Sequence, residues 1–240
     1  MTVNKAQFRV HKSESCRFVN CALCIDPLFP LPVVDYGQLP IFFVVLFLSL
    51  AVRGAVQAWL VDVLGDPAPA GSGRLSFNPG LQVDAVGSIL FPLVSFVTGH
   101  PFMGWGKPIP VDEEQLGAHW RRKLLAIAAI GPAVSLGLAV AAALAIRAGI
   151  AATHSPFDAI IAPLLFRAVD LNVLLCVLSL LPVPPLEGST MLAAVLPARA
   201  GALMRRQRRL GVVVLFVLLL TGMLAVVVSP IRASLVGALL

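Results

Sequence analysis

Five polar side chains lie inside apolar stretches of this chain: Arg53, Gln57, Asn172, Ser179 and Glu187. Their types limit the chemistry open to them. Glu187 can take a proton, ligate a metal or balance a cation, whereas Arg53 can only be a cation, since a guanidinium stays protonated and offers no lone pair. Gln57 follows Arg53 by four residues, one helical turn along the same face. A guanidinium in hydrocarbon costs roughly 2.5–3.5 kcal/mol on insertion scales, so Arg53 needs a partner or a way out. It stands about twelve residues, roughly 18 Å at helical rise, from either end of its apolar run, which makes snorkelling hard. Asp84 is one candidate counter-charge. Glu187 ends the stretch "LPVPPLEG", whose prolines must break a helix. Irregular backbone survives at membrane depth only where protein or water satisfies it. A solvated carboxylate in a surface loop is the other reading of Glu187.

The elements that must hold these residues are apolar helices. The chain has 240 residues, 58% hydrophobic and 12% charged, about half the charged fraction usual in soluble domains. An ordinary soluble enzyme is excluded, and an all-α integral membrane protein is expected. Crossing a bilayer takes about 20 apolar residues. Residues 39–64, 85–99, 124–146, 159–182 and 210–231 are the candidates, which predicts a polytopic bundle of about five transmembrane helices. The segment 85–99 is short and contains Pro92, so it reads as broken or only partly crossing. Arg167 and Asp170 are three apart in the fourth segment, close enough to pair on one helical face.

The net charge of +6 comes largely from loops, where positive charge orients spans, and nucleic-acid binding is not expected. Lys107 and Arg121 to Lys123 follow the second segment, while Arg199, Arg205, Arg206, Arg208 and Arg209 precede the last. With Lys5, Arg9, Lys12 and Arg17 they mark the cytoplasmic side, against Arg74, Arg147 and Arg232 opposite. This orientation fails if residues 85–99 do not cross. Cys16, Cys21 and Cys24, with His11 nearby, read as reduced juxtamembrane thiols open to acylation rather than as a metal site, because no second ligand pair supports one. No signal peptide is apparent before residue 39.

Four stretches carry a family resemblance: "LGDPAPAGSGRLSFNPGLQVDAVG" (64–87), "GWGKPIPV" (104–111), "AAIGPAVSLGLA" (128–139) and "NVLLCVLSLLPVPPLEGS" (172–189). In order and approximate spacing the chain resembles the site-2 protease family of intramembrane zinc metalloproteases, over residues 40 to about 197. That implies a site-2-protease-like membrane core at 39–197. A Cys-containing cytoplasmic segment at 1–38 precedes it, and a basic loop with a C-terminal transmembrane helix at 198–240 follows.

The family's zinc motif, His-Glu-x-x-His, lies twelve residues before the Gly of Leu-Gly-Asp, where two His one turn apart ligate zinc and the Glu activates water. Here those positions read "RGAVQ". Arg53 and Gln57 replace the histidines, and Gly54 replaces the glutamate. The family's third ligand, an Asp after the Pro-rich break, corresponds to Glu187. Its His-x-Asp-Pro becomes Gln82, Asp84 and Ala85; an expected Asn becomes Ser179, though Asn172 matches an upstream Asn.

Scaffold residues persist while ligands do not, so the resemblance implies a pseudoprotease without zinc, in which Arg53 and Glu187 form a buried ion pair in the metal's place. Bidentate pairing would offset both desolvation costs, and Gln57 could bond either partner. Such a protein would bind or regulate transmembrane segments of other membrane proteins within the lipid bilayer. An active intramembrane metalloendopeptidase with a non-standard site is the alternative. A Ser179 or Ser189 nucleophile lacks a base in any obvious pattern, and a transporter would show an inverted repeat. Trp105 and Lys107 read equally as a groove rim or as interfacial anchors.

Overall fold

The structure is a computed structural model that describes residues 39–98, 104–149 and 158–240. The N-terminal cysteines and His11, and also His100 and His154, lie outside the described residues. Everything described is helix, turn or coil, apart from one isolated bridge between Val83 and Gly106.

Three helices are long and apolar enough to cross a membrane. Helix α1 (Leu39–Val63) carries Pro40 in its first turn, where the missing N–H would be unpaired anyway. It ends at the Leu-Gly-Asp-Pro turn, whose Asp66 is fully buried and accepts from the amides of Ala68 and Asp112 at 2.9 and 2.6 Å. Two four-residue helices follow, α2 (Ala68–Gly71) and α3 (Pro79–Gln82). Helix α5 (Trp120–Arg147) and helix α6 (Asp158–Ser179) pack along each other, and α1 lies against both. Their apolar faces form the core, with Leu46 and Leu50 of α1 against Leu171 and Leu175 of α6.

Of the two remaining apolar segments, 85–99 is short, as its Pro92 suggested, and 210–231 departs from the expected simple span. Helix α4 (Ala85–Val97) opens as a π-helix over Ala85–Leu90. It covers about 20 Å at helical rise against a hydrocarbon core of about 30 Å, so this helix alone is shorter than a full span. The segment 210–231 is not one straight span either. Helix α9 (Arg208–Leu220) and helix α10 (Met223–Leu239) meet at 79°, with Gly222 at φ 73° in the turn. Counting that bent pair as one span brings the number to four.

Two further departures follow from packing. The basic stretch before the last apolar segment is helix α8 (Ala198–Arg206), not a loop. Arg232 is not a loop residue of the far side; it belongs to α10, and its Nε donates to Asp170 Oδ1 of α6 at 2.6 Å. Asp170 also lies 3.9 Å from Arg167, so one carboxylate faces two guanidinium groups.

Arg74 is likewise no solvent-facing charge. It is 3% exposed and donates to the carbonyls of Leu81 and Lys107 at 2.6 and 2.7 Å. That pins the 72–82 loop to the 104–111 strap. Burial lowers its pKa below the ordinary arginine value, because desolvation disfavours the charged form.

Candidate functional site

Several elements, helix α5 among them, converge on a cavity of about 90 Å³. From α1 come Arg53, Gly54 and Gln57; from the loop and strap, Gln82 and Lys107; from the break after α6, Glu187. Glu187 is the first residue of helix α7 (Glu187–Val195). The prolines of "LPVPPLEG" end α6 and let the chain restart in a new direction, so Glu187 is carried back toward α1.

The structure places Arg53 Nη2 2.6 Å from Glu187 Oε1. The Arg53 side chain is 7% exposed and that of Glu187 22%, so the pair is buried at the cation and reaches the cavity at the anion. Nη1 turns elsewhere. It donates to Ser135 Oγ at 3.0 Å and lies 3.5 Å from the Leu175 carbonyl. The guanidinium therefore divides its donors among α5, α6 and α7 instead of presenting its whole fork to one carboxylate. Asp84 is not its partner: Asp84 Oδ2 accepts from Trp105 Nε1 at 3.1 Å and from the Gly87 amide at 3.2 Å.

Gly131 on α5 makes the approach possible. A Cβ there would sit 3.0 Å from Arg53 Nη2 and 3.2 Å from Glu187 Oε1, tighter than ordinary contact. Neither Gly131 nor Ser135 was singled out by residue type. The one sequence signal is that both fall in "AAIGPAVSLGLA", a Gly-Pro and a Ser within an otherwise apolar helix.

Gln57 bonds neither charged partner, contrary to expectation. Its Nε2 donates to the Ile127 carbonyl of α5 at 2.9 Å. Proline at position 132 cannot donate to the carbonyl four residues back, at Ala128, and Gln57 serves the neighbouring carbonyl. Asn172 also stays outside the cavity: it bonds Ser49 Oγ and the Ala168 carbonyl, both at 2.9 Å. The hydroxyls of Ser179 and Ser189 donate to the carbonyls of Cys176 and Leu186, at 2.8 and 2.7 Å. Each is a local helix or turn bond, and neither hydroxyl faces a base.

Gln82 is the residue whose importance sequence reasoning missed. It is 1% exposed, and its Nε2 donates to the carbonyls of Arg74 and Ser76 at 2.9 and 3.2 Å. Two carbonyl acceptors fix which end of the amide is nitrogen. Its Oε1 is buried without a hydrogen-bond partner and lies where a Cβ on Gly54 would project. The Gln82 amide thus fills the space of a side chain at position 54.

Trp105 is 5% exposed, lines the cavity and packs against Phe91 with ring centroids 4.9 Å apart and planes tilted by 60°, so it is a wall of the cavity and not an interfacial anchor. Lys107 is exposed at the mouth. Among the described residues, no group of three or more His, Cys, Asp or Glu is close enough to share a metal ion.

Fold and site together define an all-helical membrane bundle arranged around a buried ion pair and a small polar cavity. Over 205 residues the chain is 26% identical to a Bacillus subtilis (strain 168) protein named "Putative zinc metalloprotease YwhC", covering 80% of this chain and 85% of that one. No family model matches the chain, and no solved structure matches it.

Proposed function

We propose that this chain is a catalytically silent, metallopeptidase-like membrane protein that holds a segment of another membrane protein at its central cavity. The observation that carries the reading is the Arg53–Glu187 contact of 2.6 Å. It lies at two of the three positions that the family resemblance assigns to zinc.

The relative's name speaks of zinc, and the residues here do not fit that ion. Catalytic zinc takes three protein ligands and a water. The three positions here hold a guanidinium, an amide whose nitrogen is committed to Ile127, and one carboxylate already paired. Gly54 supplies no base, and Gln82 occupies the space from which one would act. In this reading the guanidinium takes the cation's volume and charge. The carboxylate keeps a counter-ion at membrane depth, and the cavity persists without its chemistry. The basic end of the bundle faces the cytoplasm, as the excess of Lys and Arg there favours.

Two measurements test the proposal. Protein purified without chelator should carry no stoichiometric zinc, and a photoreactive residue at position 57 should crosslink to the apolar segment of a partner membrane protein. The same probe at lipid-facing Leu48 (56% exposed) should not. Zinc that survives dialysis, together with cleavage of a membrane substrate, would instead establish an active metalloendopeptidase with a non-standard site.

A further inference from the structure

At one end of the bundle, the first turn of α5 and helix α8 bring a set of arginines together. Arg121 Nη1 donates to the Leu196 carbonyl at 3.3 Å, tying the first turn of α5 to the turn between α7 and α8. Its guanidinium stacks 5.3 Å from the Trp120 ring centroid. Arg122, Arg199, Arg206, Arg208 and Arg209 are exposed, and among the described residues none of them is within ion-pair distance of a carboxylate.

Apolar side chains are interleaved with these cations. Val195, Leu203 and Leu210 are 71%, 58% and 60% exposed. On α8, residues 199, 203 and 206 follow the i, i+4, i+7 spacing of one helical face. Leu203 therefore projects between Arg199 and Arg206, while Gly201 is buried. Helix α8 then runs through Gln207 into α9, whose Val213, Val214 and Val217 are exposed and apolar. A soluble acidic partner would match the arginines but not the leucine between them. A bilayer interface matches both, because acyl chains take the leucine, arginine stems lie along the boundary and guanidinium groups reach phosphate.

We infer that α8, with the first turn of α5, is a docking surface for anionic phospholipid headgroups of the bilayer that holds the chain. The contact is made by Arg122, Arg199, Arg206, Arg208 and Arg209, with Leu203 as the apolar anchor. It does not depend on whether the central cavity is catalytic.

The test uses the full chain in nanodiscs of phosphatidylcholine with and without phosphatidylglycerol, followed by gentle extraction and native mass spectrometry of retained lipid. Wild type should retain phosphatidylglycerol over phosphatidylcholine. The variant Arg199→Gln/Arg206→Gln/Arg208→Gln/Arg209→Gln should lose that selectivity by about fivefold per charge removed. Arg147→Gln, at the other end of α5, should retain it, and Leu203→Gln should weaken retention of both lipids. All four arginines are exposed, so size-exclusion profiles should match wild type. Equal retention of the two lipids by wild type, or selectivity unchanged in the quadruple variant, would overturn the inference. So would displacement of phosphatidylglycerol by a poly-glutamate peptide with no effect of Leu203→Gln, which would assign the surface to an acidic protein.

Discussion

Arg53 is tolerated in the middle of α1 because the neighbouring helices meet each part of it. Glu187 supplies charge, Ser135 and the Leu175 carbonyl accept from Nη1, and Gly131 leaves room. Removing one partner strands a charge, which costs about 3–5 kcal/mol in a buried pair. The 22% exposure of the Glu187 side chain puts Glu187→Ala at the more costly end, since it leaves the deeper charge unmatched. Arg53→Ala should cost less, because the stranded carboxylate can draw water from the cavity. Both together should recover part of the loss in thermal melts of the detergent-solubilised protein; two losses that simply add would show the residues to be independent. Gly131→Ala offers a second check. A helical Gly to Ala exchange in open space gains roughly 1 kcal/mol, but here the methyl presses on both charged groups. Lower stability is expected, and a gain would mean that the pair has room to spare.

At the scale of elements, the loop 72–82 and the strap 104–111 form one unit clamped by Arg74 and by the bond between the Lys107 amide and the Gln82 carbonyl at 2.8 Å. That unit presses the Gln82 amide onto α1 at Gly54. Returning the motif positions to His-Glu-x-x-His with Arg53→His, Gly54→Glu and Gln57→His should therefore fail to yield zinc-loaded protein. Adding Gln82→Ala should open the space and raise metal content, measured by elemental analysis. Zinc uptake by the triple variant without the change at 82 would show that the loop yields easily.

Helix α10 is held to α6 in part by Arg232 and Asp170, whose side chains are each 24% exposed. Solvent-exposed pairs contribute little, about 0–1 kcal/mol, but this carboxylate faces two guanidinium groups within an apolar helix. Asp170→Asn should therefore lower the melting temperature and increase hydrogen exchange in α10.

For the molecule as a whole, three long helices, a broken C-terminal pair and a short π-opened helix make up the described bundle. Hydrophobic pattern alone made the membrane class and the long helices legible, because a run of about 20 apolar residues has few other uses. It could not tell a crossing helix from a bent pair. Val, Leu and Thr around position 221 read alike in both, and the 79° turn depends on how α10 packs back on α6 through Leu224, Val228 and Arg232. If zinc has no place here, a strong chelator should leave the melting temperature of the purified protein unchanged, whereas a structural or catalytic zinc would lower it measurably.

The sequence by itself determined that Arg53, Gln57 and Glu187 stand out, since an ionisable group in an apolar run is conspicuous by composition. The resemblance across residues 40 to about 197 directed attention to the same positions. Only the tertiary structure decided which groups meet. Glu187 rather than Asp84 faces Arg53, Gln57 serves a backbone carbonyl, and the Gln82 amide occupies the space beside Gly54. The reason is physical: cost of burial belongs to one residue and can be read along the chain, but relief of that cost belongs to whichever neighbours the packing of separate helices brings within about 3 Å.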